Sequence, residues 1–230
     1  GGVFLSTDNY LDKRPYFYPF LVSLTHDLTG YRPLNAHLLN AALMPAALGL
    51  AFAFARRLAG WAGGLAAVLL LGSLPLLGQN ATGSGMELLN VVMLLATLVL
   101  ATDYLRAPGE AGLDAFLFGT VLLAQARYES ALFAGAAGLV LLLGWWRERR
   151  IILTWRTGLV PLLLVPVALQ NKVLSNNPML WELGEASTRF STEFLPKNLT
   201  GCATFLFNPT WNHANSLLLT AAGQIGRAHV

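Results

Sequence analysis

The chain has 230 residues, 55% of them hydrophobic and only 12% charged, against roughly 25% charged in an average soluble domain. That deficit, with long runs of Leu, Ala, Val and Gly, argues against a soluble enzyme and for a polytopic membrane protein. The formal charge of +3 is too small to mark a nucleic-acid surface, and its arginines sit beside hydrophobic runs as topology signals. The one cysteine, Cys202, excludes an intrachain disulfide and, without partner ligands, a cysteine metal site.

The chain opens on Gly1 with no charged segment leading into an apolar run, so a first span is expected upstream. Residues 1–34 are polar enough to lie outside the hydrocarbon as an external loop. Within them, residues 15–28 suit a short interfacial helix, with Pro15 and Pro19 in its first turn and Gly30 as its stop. This stretch sets Asp12, Lys13 and Arg14 beside Tyr16, Phe17, Tyr18 and Phe20, a mixture fitted to a membrane–water boundary.

Residues 35–169 read as an all-α transmembrane bundle of about six spans. The first covers 35–55, about the length that crosses a hydrocarbon core of about 30 Å, and Arg56 and Arg57 close it. Residues 62–77 return, a charge-free turn follows over 78–85, and Glu87 opens a third span ending near residue 105. Residues 113–146 as one helix would be about 51 Å long and would bury Arg127 and Glu129 at several kcal/mol each. Two short spans with a break at 125–130 fit better, and irregular backbone there must line protein or a wet cavity. A sixth span covers 151–169, kinked by Pro161 and Pro166. Residues 170–208 read as an external loop with short helices, carrying Asn176, Asn177, Glu182, Glu185, Arg189 and Glu193. Residues 215–224 begin a further span. Residues 225–230 back-translate to the start of a common sequencing-library adapter and are expected to be non-native.

In this topology Arg56, Arg57, Arg106, Arg147, Arg149, Arg150 and Arg156 share one side, and between spans the other side carries only Arg127. The positive-inside rule makes the first side cytoplasmic. The opening stretch, the 78–85 turn, the Arg127–Glu129 break and the tail then all face outward.

Soluble catalytic signatures are absent: there is no GxxxxGK, GxGxxG, GxSxG or HExxH. What remains is an outward-facing set of groups, each with a plainer alternative. Asp8, Asp12, Lys13, Arg14 and Asp27 are either an interfacial anchor with snorkelling cations or, through Lys13 and Arg14, a phosphate site. Glu87 is either a helix-start acid favoured by the macrodipole or a cavity acid. Arg127 and Glu129 either pair with each other or serve a site at membrane depth. His37 either hydrogen-bonds structurally at the helix start or belongs to that site. Together they describe a pocket able to hold a phosphate and a sugar.

Arg14-Pro15-Tyr16-Phe17-Tyr18, Leu24, Gly30 and His37-Leu38-Leu39-Asn40 resemble the region after the first external loop of GT-C glycosyltransferases. The RPL…G…HL.N pattern is similar to the tetratricopeptide-linked mannosyltransferase type, with a related KPPL…Y…G pattern in the aminoarabinose and protein O-mannosyl transferase types. Glu87 opening a span, and Ala126-Arg127-Tyr128-Glu129 between two short spans, sit where that superfamily often has acidic and Arg-Glu positions. The resemblance implies transfer of a sugar from a polyprenyl-phosphate donor, at the outer face of the cytoplasmic membrane, to a glycan, lipid or protein acceptor. It implies general-base work by an acid and stabilisation of the departing lipid phosphate by cations. The candidate catalytic residues are then Asp12, Glu87 and Glu129; Lys13, Arg14 and Arg127 would bind donor phosphate, with Tyr18 and His37 beside them. No protein-bound cofactor is implied, and a divalent metal is left open. The family's Asp-Glu or Asp-Asp pair is not evident and is expected upstream, with Asp8 and Asp12 as substitutes. Rival readings are a lipid-linked glycan transporter or flippase, an O-antigen ligase or polymerase, and a non-catalytic assembly subunit.

Overall fold

The computed structural model describes residues 15–175, 194–206 and 208. All regular structure among these residues is helical. Three helices are long and apolar enough to cross a membrane, Leu34–Gly72, Glu87–Arg106 and Glu129–Glu148, which points to membrane association.

Helix α1 spans Phe17–Thr29 and ends where Gly30 takes φ 83 and donates its N–H to the His26 carbonyl. Its inner face, Phe17, Tyr18, Leu21 and Val22, packs against Leu39, Leu89 and Ala126. Phe20, Leu24 and Leu28 stay exposed, as an interfacial helix requires. The corner into the next helix is tied by Asn35, almost fully buried. Its Nδ2 lies 2.7 Å from His26 Nδ1 and donates to the Gly30 carbonyl at 2.8 Å, while Thr29 donates to its Oδ1 at 3.0 Å.

Helix α2, Leu34–Gly72, is a hairpin rather than a rod. Its dihedrals leave the helical region at Ala59 (φ −133°, ψ 17°) and Gly60 (φ 70°, ψ −166°). Beyond them the chain doubles back. A Cβ on Gly64 would touch the Phe52 ring, and one on Gly72 would lie 3.8 Å from Leu48 Cδ2. In a straight helix Leu48 and Gly72 would be about 36 Å apart. The reversal is braced by Trp61, whose ring meets Phe52 at 5.1 Å and carries the Arg56 guanidinium at 4.6 Å. After the Ser73–Leu74 interruption, α3 (Pro75–Thr82) continues the return path, with Pro75 in its first turn where a missing N–H costs nothing. Ala47, Leu77, Leu88 and Val92 then form a shared core between the hairpin, α3 and α4.

Helix α4 is Glu87–Arg106 and α5 is Glu110–Ala126. The two pack closely through Gly119, where a Cβ would meet Leu100 at 2.9 Å, a small-residue contact of the kind membrane helices use. Helix α5 is central, buried from Leu113 to Ala126 on several faces. A 3-10 turn, Tyr128–Leu132, leads into α6, Phe133–Glu148. Helix α7 is Leu159–Ser175 and α8 is Phe194–Leu206.

Several expected boundaries are corrected. The count of six spans is not reached by length and composition. The return segment is cut by Ser73–Leu74, α5 has 17 residues, and the apolar part of α7 is only Leu159–Leu169. The 78–85 turn narrows, because α3 runs to Thr82. Residues 151–158 are not helical: Thr154 and Thr157 hydrogen-bond each other, and the Thr154 hydroxyl donates to Asp114 at 2.6 Å. The break at 125–130 stands, as Arg127 is extended (φ −152°, ψ 144°) between α5 and the 3-10 turn.

The arginines gather at the end where α2 turns. Arg57 grips Asp103 through two bonds of 2.9 Å, Arg106 donates to the Arg57 carbonyl, Arg147 donates to the Leu105 carbonyl at 3.1 Å, and Arg156 pairs with Asp114 at 3.2 Å. Glu87 and Arg106, at opposite ends of α4, are about 29 Å apart along its axis.

Gly60 carries the reversal in a backbone region open almost only to glycine. No atom lies within 4 Å of a Cβ added there, so Gly60→Ala acts through strain alone and should cost about 1–3 kcal/mol. Gly49→Ala, equally uncrowded but helical, should be neutral or slightly stabilising. Thermal unfolding of the two variants in detergent checks this.

Candidate functional site

At the end opposite the Arg57–Asp103 pair, four pieces converge: α1, the Gly83–Met86 turn, the start of α4, and the chain leaving α5. Tyr18, Leu89 and Ala126 form their common buried core. Asn40 is the clasp. Its side chain is fully buried, and its Nδ2 lies 3.2, 3.1 and 2.9 Å from the carbonyls of Asn80, Gly83 and Gly85, which share its two N–H donors. One helix turn away, His37 Nδ1 lies 2.9 Å from the Thr82 carbonyl. These bonds close the open end of the α2 hairpin and satisfy carbonyls that the end of α3 leaves free.

The turn so fixed delivers Glu87 at the first position of α4, where the macrodipole favours a negative charge. Its carboxylate folds back over Gly85, so a Cβ on Gly85 would collide with Oε2. Glu87 is half-buried and pairs with no cation within 4 Å among the described residues. One turn on, Asn90 Oδ1 accepts a 2.6 Å bond from Ser130 Oγ. That bond ties the 3-10 turn to α4 and holds the Arg127–Glu129 break at this end. Arg127 and Glu129 themselves pair, at 2.8 and 3.4 Å, and are both partly exposed. In that setting the pair contributes little to stability and its charges stay open to solvent-borne or lipid-borne groups. Gln125, at the same break, donates to the Leu163 carbonyl of α7 at 3.3 Å, in the turn before Pro166.

Tyr18 donates its hydroxyl to the Ala36 carbonyl at 3.3 Å. Burial pushes its phenol above the ordinary value of 10.0, the Glu87 charge pushes the same way, and the nearby Asn40 amide works against both. Asn40 Oδ1 is itself buried without a hydrogen-bond partner among the described residues.

Of the residues expected from sequence, Tyr18, His37, Glu87, Arg127 and Glu129 therefore belong to one end of the molecule. Tyr18, Leu89 and Ala126 bring three of the segments into contact. His37 makes a structural bond, and Arg127 and Glu129 bond each other. Asp12, Lys13 and Arg14, with Asp8, lie outside the described residues, as do Asn176, Asn177, Glu182, Glu185, Arg189, Glu193 and residues 209–230. Among the described residues no three His, Cys, Asp or Glu side chains are grouped to hold a metal ion. Sequence reasoning passed over Asn35, Gly85, Asn90 and Ser130, and met Asn40 only as part of a pattern. The available signal was polarity: an amide inside a helix otherwise apolar must find partners or carry a desolvation cost.

Comparison with protein-family models, curated proteins and solved structures found no match.

The raised Tyr18 value has a defined sign. Above pH 10.0 the unfolded chain releases the phenolic proton before the folded one does, so stability falls as pH rises through the folded value. Titration of phenolate absorbance, taken as wild type minus Tyr18→Phe, should show one late-titrating tyrosine. In Glu87→Gln that titration should move back toward the ordinary value; an unchanged titration would place the carboxylate away from the ring.

Proposed function

We propose that this chain is part of a membrane glycosyltransferase of GT-C type that moves a sugar from a polyprenyl-phosphate donor at the end of the bundle bearing Glu87. The observation that supports this reading most is the convergence there of a half-buried acid with no cation partner among the described residues, a buried tyrosine and an Arg–Glu break. A reaction that departs from a lipid phosphate needs such a mixture at the membrane boundary, away from the arginine-rich end.

In this reading the limbs of α2, the return path through α3, and α4 to α7 cross the bilayer as six passes. The arginine-rich end is cytoplasmic by the positive-inside rule, and the Glu87 end faces the periplasm. Glu87 is the acid that takes the acceptor hydroxyl proton or orients that hydroxyl. Its macrodipole-favoured carboxylate, lacking a paired cation among the described residues, is an available hydrogen-bond acceptor. Arg127 can exchange Glu129 for a phosphate, because guanidinium presents the same fork to either anion. Lys13 and Arg14 supply further positive charge for the leaving phosphate, Asp12 and Glu129 are additional acids, and Tyr18 and His37 line the same end. The donor is lipid-borne, the acceptor is a glycan, lipid or protein, and any divalent metal would be additional to these groups.

Transfer from a polyprenyl-phosphate sugar by the full-length enzyme tests the assignment. Glu87→Gln should lower kcat about a hundredfold or more. Gly85→Ala, which displaces the carboxylate without removing it, should lower kcat by a smaller factor of about ten. Full activity in both Arg14→Ala and Glu87→Gln, with the protein still folded, would end this reading.

A further inference from the structure

We propose that the arginine-rich end carries a binding site for an anionic phospholipid, seated in the groove between α4 and α6. An open groove of about 470 Å³ there is lined by Leu105, Leu143, Trp146, Arg147 and Arg149. Its composition is that of a lipid headgroup site: two apolar floor residues, an indole wall and two guanidinium groups.

Three observations select this occupant. First, the groove is continuous with a lipid-facing stripe. Leu139, Leu142, Leu143 and Trp146 are all exposed on α6, and their spacing places them along one helix face. An acyl chain lying along that stripe would bring its phosphate to the rim. Second, the rim cations are differently committed. Arg147 is anchored by its bond to the Leu105 carbonyl, which fixes one guanidinium over the groove. Arg149 occupies a left-handed conformation, φ 49° and ψ 27°, at the C-cap of α6, and its side chain pairs with no carboxylate among the described residues. A non-glycine residue in that conformation carries strain, and glycine is the usual occupant of such a cap. Third, the nearby carboxylates do not pair with the groove arginines: Asp103 and Asp114 bond Arg57 and Arg156, and Glu148, which lies near Tyr104, forms no ion pair with Arg147 or Arg149 among the described residues. One guanidinium anchored to a carbonyl and one with no carboxylate partner among the described residues suit a phosphodiester.

The test uses the full chain reconstituted in phosphatidylcholine bilayers containing graded fractions of phosphatidylglycerol. Either lipid carries brominated acyl chains that quench tryptophan on contact. The Trp146 signal is obtained by subtracting the Trp146→Phe protein. Brominated phosphatidylglycerol should quench it at a lower mole fraction than brominated phosphatidylcholine, by about fivefold for each of the two arginines. Arg149→Gly removes one cation while relieving the left-handed strain, so it keeps the fold and should reduce the preference about fivefold. Arg147→Gln should reduce it similarly, and Arg150→Gln, off the groove, should leave it unchanged. Equal quenching by both lipids in the wild type overturns the proposal. So does a preference that survives both Arg147→Gln and Arg149→Gly, or one that Arg150→Gln weakens equally, which would mean diffuse surface charge. Loss of the preference on adding inorganic phosphate would assign the arginines to a soluble anion and likewise overturn it.

Discussion

The reversal of α2 at Ala59 and Gly60 is the constraint on which the remaining structure depends. One apolar segment of 39 residues, far too long to cross as a single straight helix, folds against itself. Phe52 meets Gly64 and Leu48 meets Gly72, so the residues before and after the turn stay in register for the whole length of the hairpin. At its open end that register brings His37 to Thr82 and Asn40 to Asn80, Gly83 and Gly85. The short turn into α4 is fixed as a result, and with it the position of Glu87. A polar clasp inside an apolar bundle is directional in a way that leucine packing is not. An unmet carbonyl there would cost about 1–3 kcal/mol, which makes one arrangement of the turn strongly preferred.

The same reversal separates the molecule into two chemically different ends. Where α2 turns, guanidinium groups are tied to carboxylates and backbone carbonyls, which braces α2, α4 and α6 together and ties α5 to the 151–158 stretch. Among the described residues, the charges at the other end are fewer, less committed, and set among tyrosine, methionine and amide side chains. Between the ends, hydroxyls such as Thr97 and Thr120 bond back to carbonyls of their own helix, so the apolar middle holds them satisfied. Ionic bracing at one end and, at the other, an acid with no cation partner among the described residues is the arrangement that supports a working site near Glu87 and a lipid contact near Arg149.

Much of this was legible in the sequence wherever a single residue carried a large penalty. Gly30 ended α1 because little else accepts its backbone. The cost of burying Arg127 and Glu129 predicted the break that separates α5 from α6, and the spacing of Arg57, Arg106, Arg147 and Arg156 anticipated that they share one end. The hairpin turn was legible as well: Arg56 and Arg57 close the first span, residues 62–77 return, and the chain reverses between them at Ala59–Gly60. Helix α3 was hidden: residues 75–82 contain Pro, Gly and Asn, which read as a turn, yet proline at a helix start is compatible with helix. The non-helical Thr154–Thr157 stretch depends on Asp114, 40 residues earlier, and no local pattern reports such a partner. Asn40 was visible only as a polar residue in an apolar run; that it reaches three carbonyls required knowing where the chain returns.

The hairpin itself is open to direct measurement. Spin labels at Leu38 and Gln79, both exposed, can be placed by cysteine substitution after Cys202 is replaced, and their separation read by pulsed electron resonance in bilayers. Antiparallel limbs packed about 8–10 Å apart should hold the labels within about 20 Å. A continuous helix would span about 51 Å between Leu38 and Gly72 alone, and a distance in that range would contradict the account.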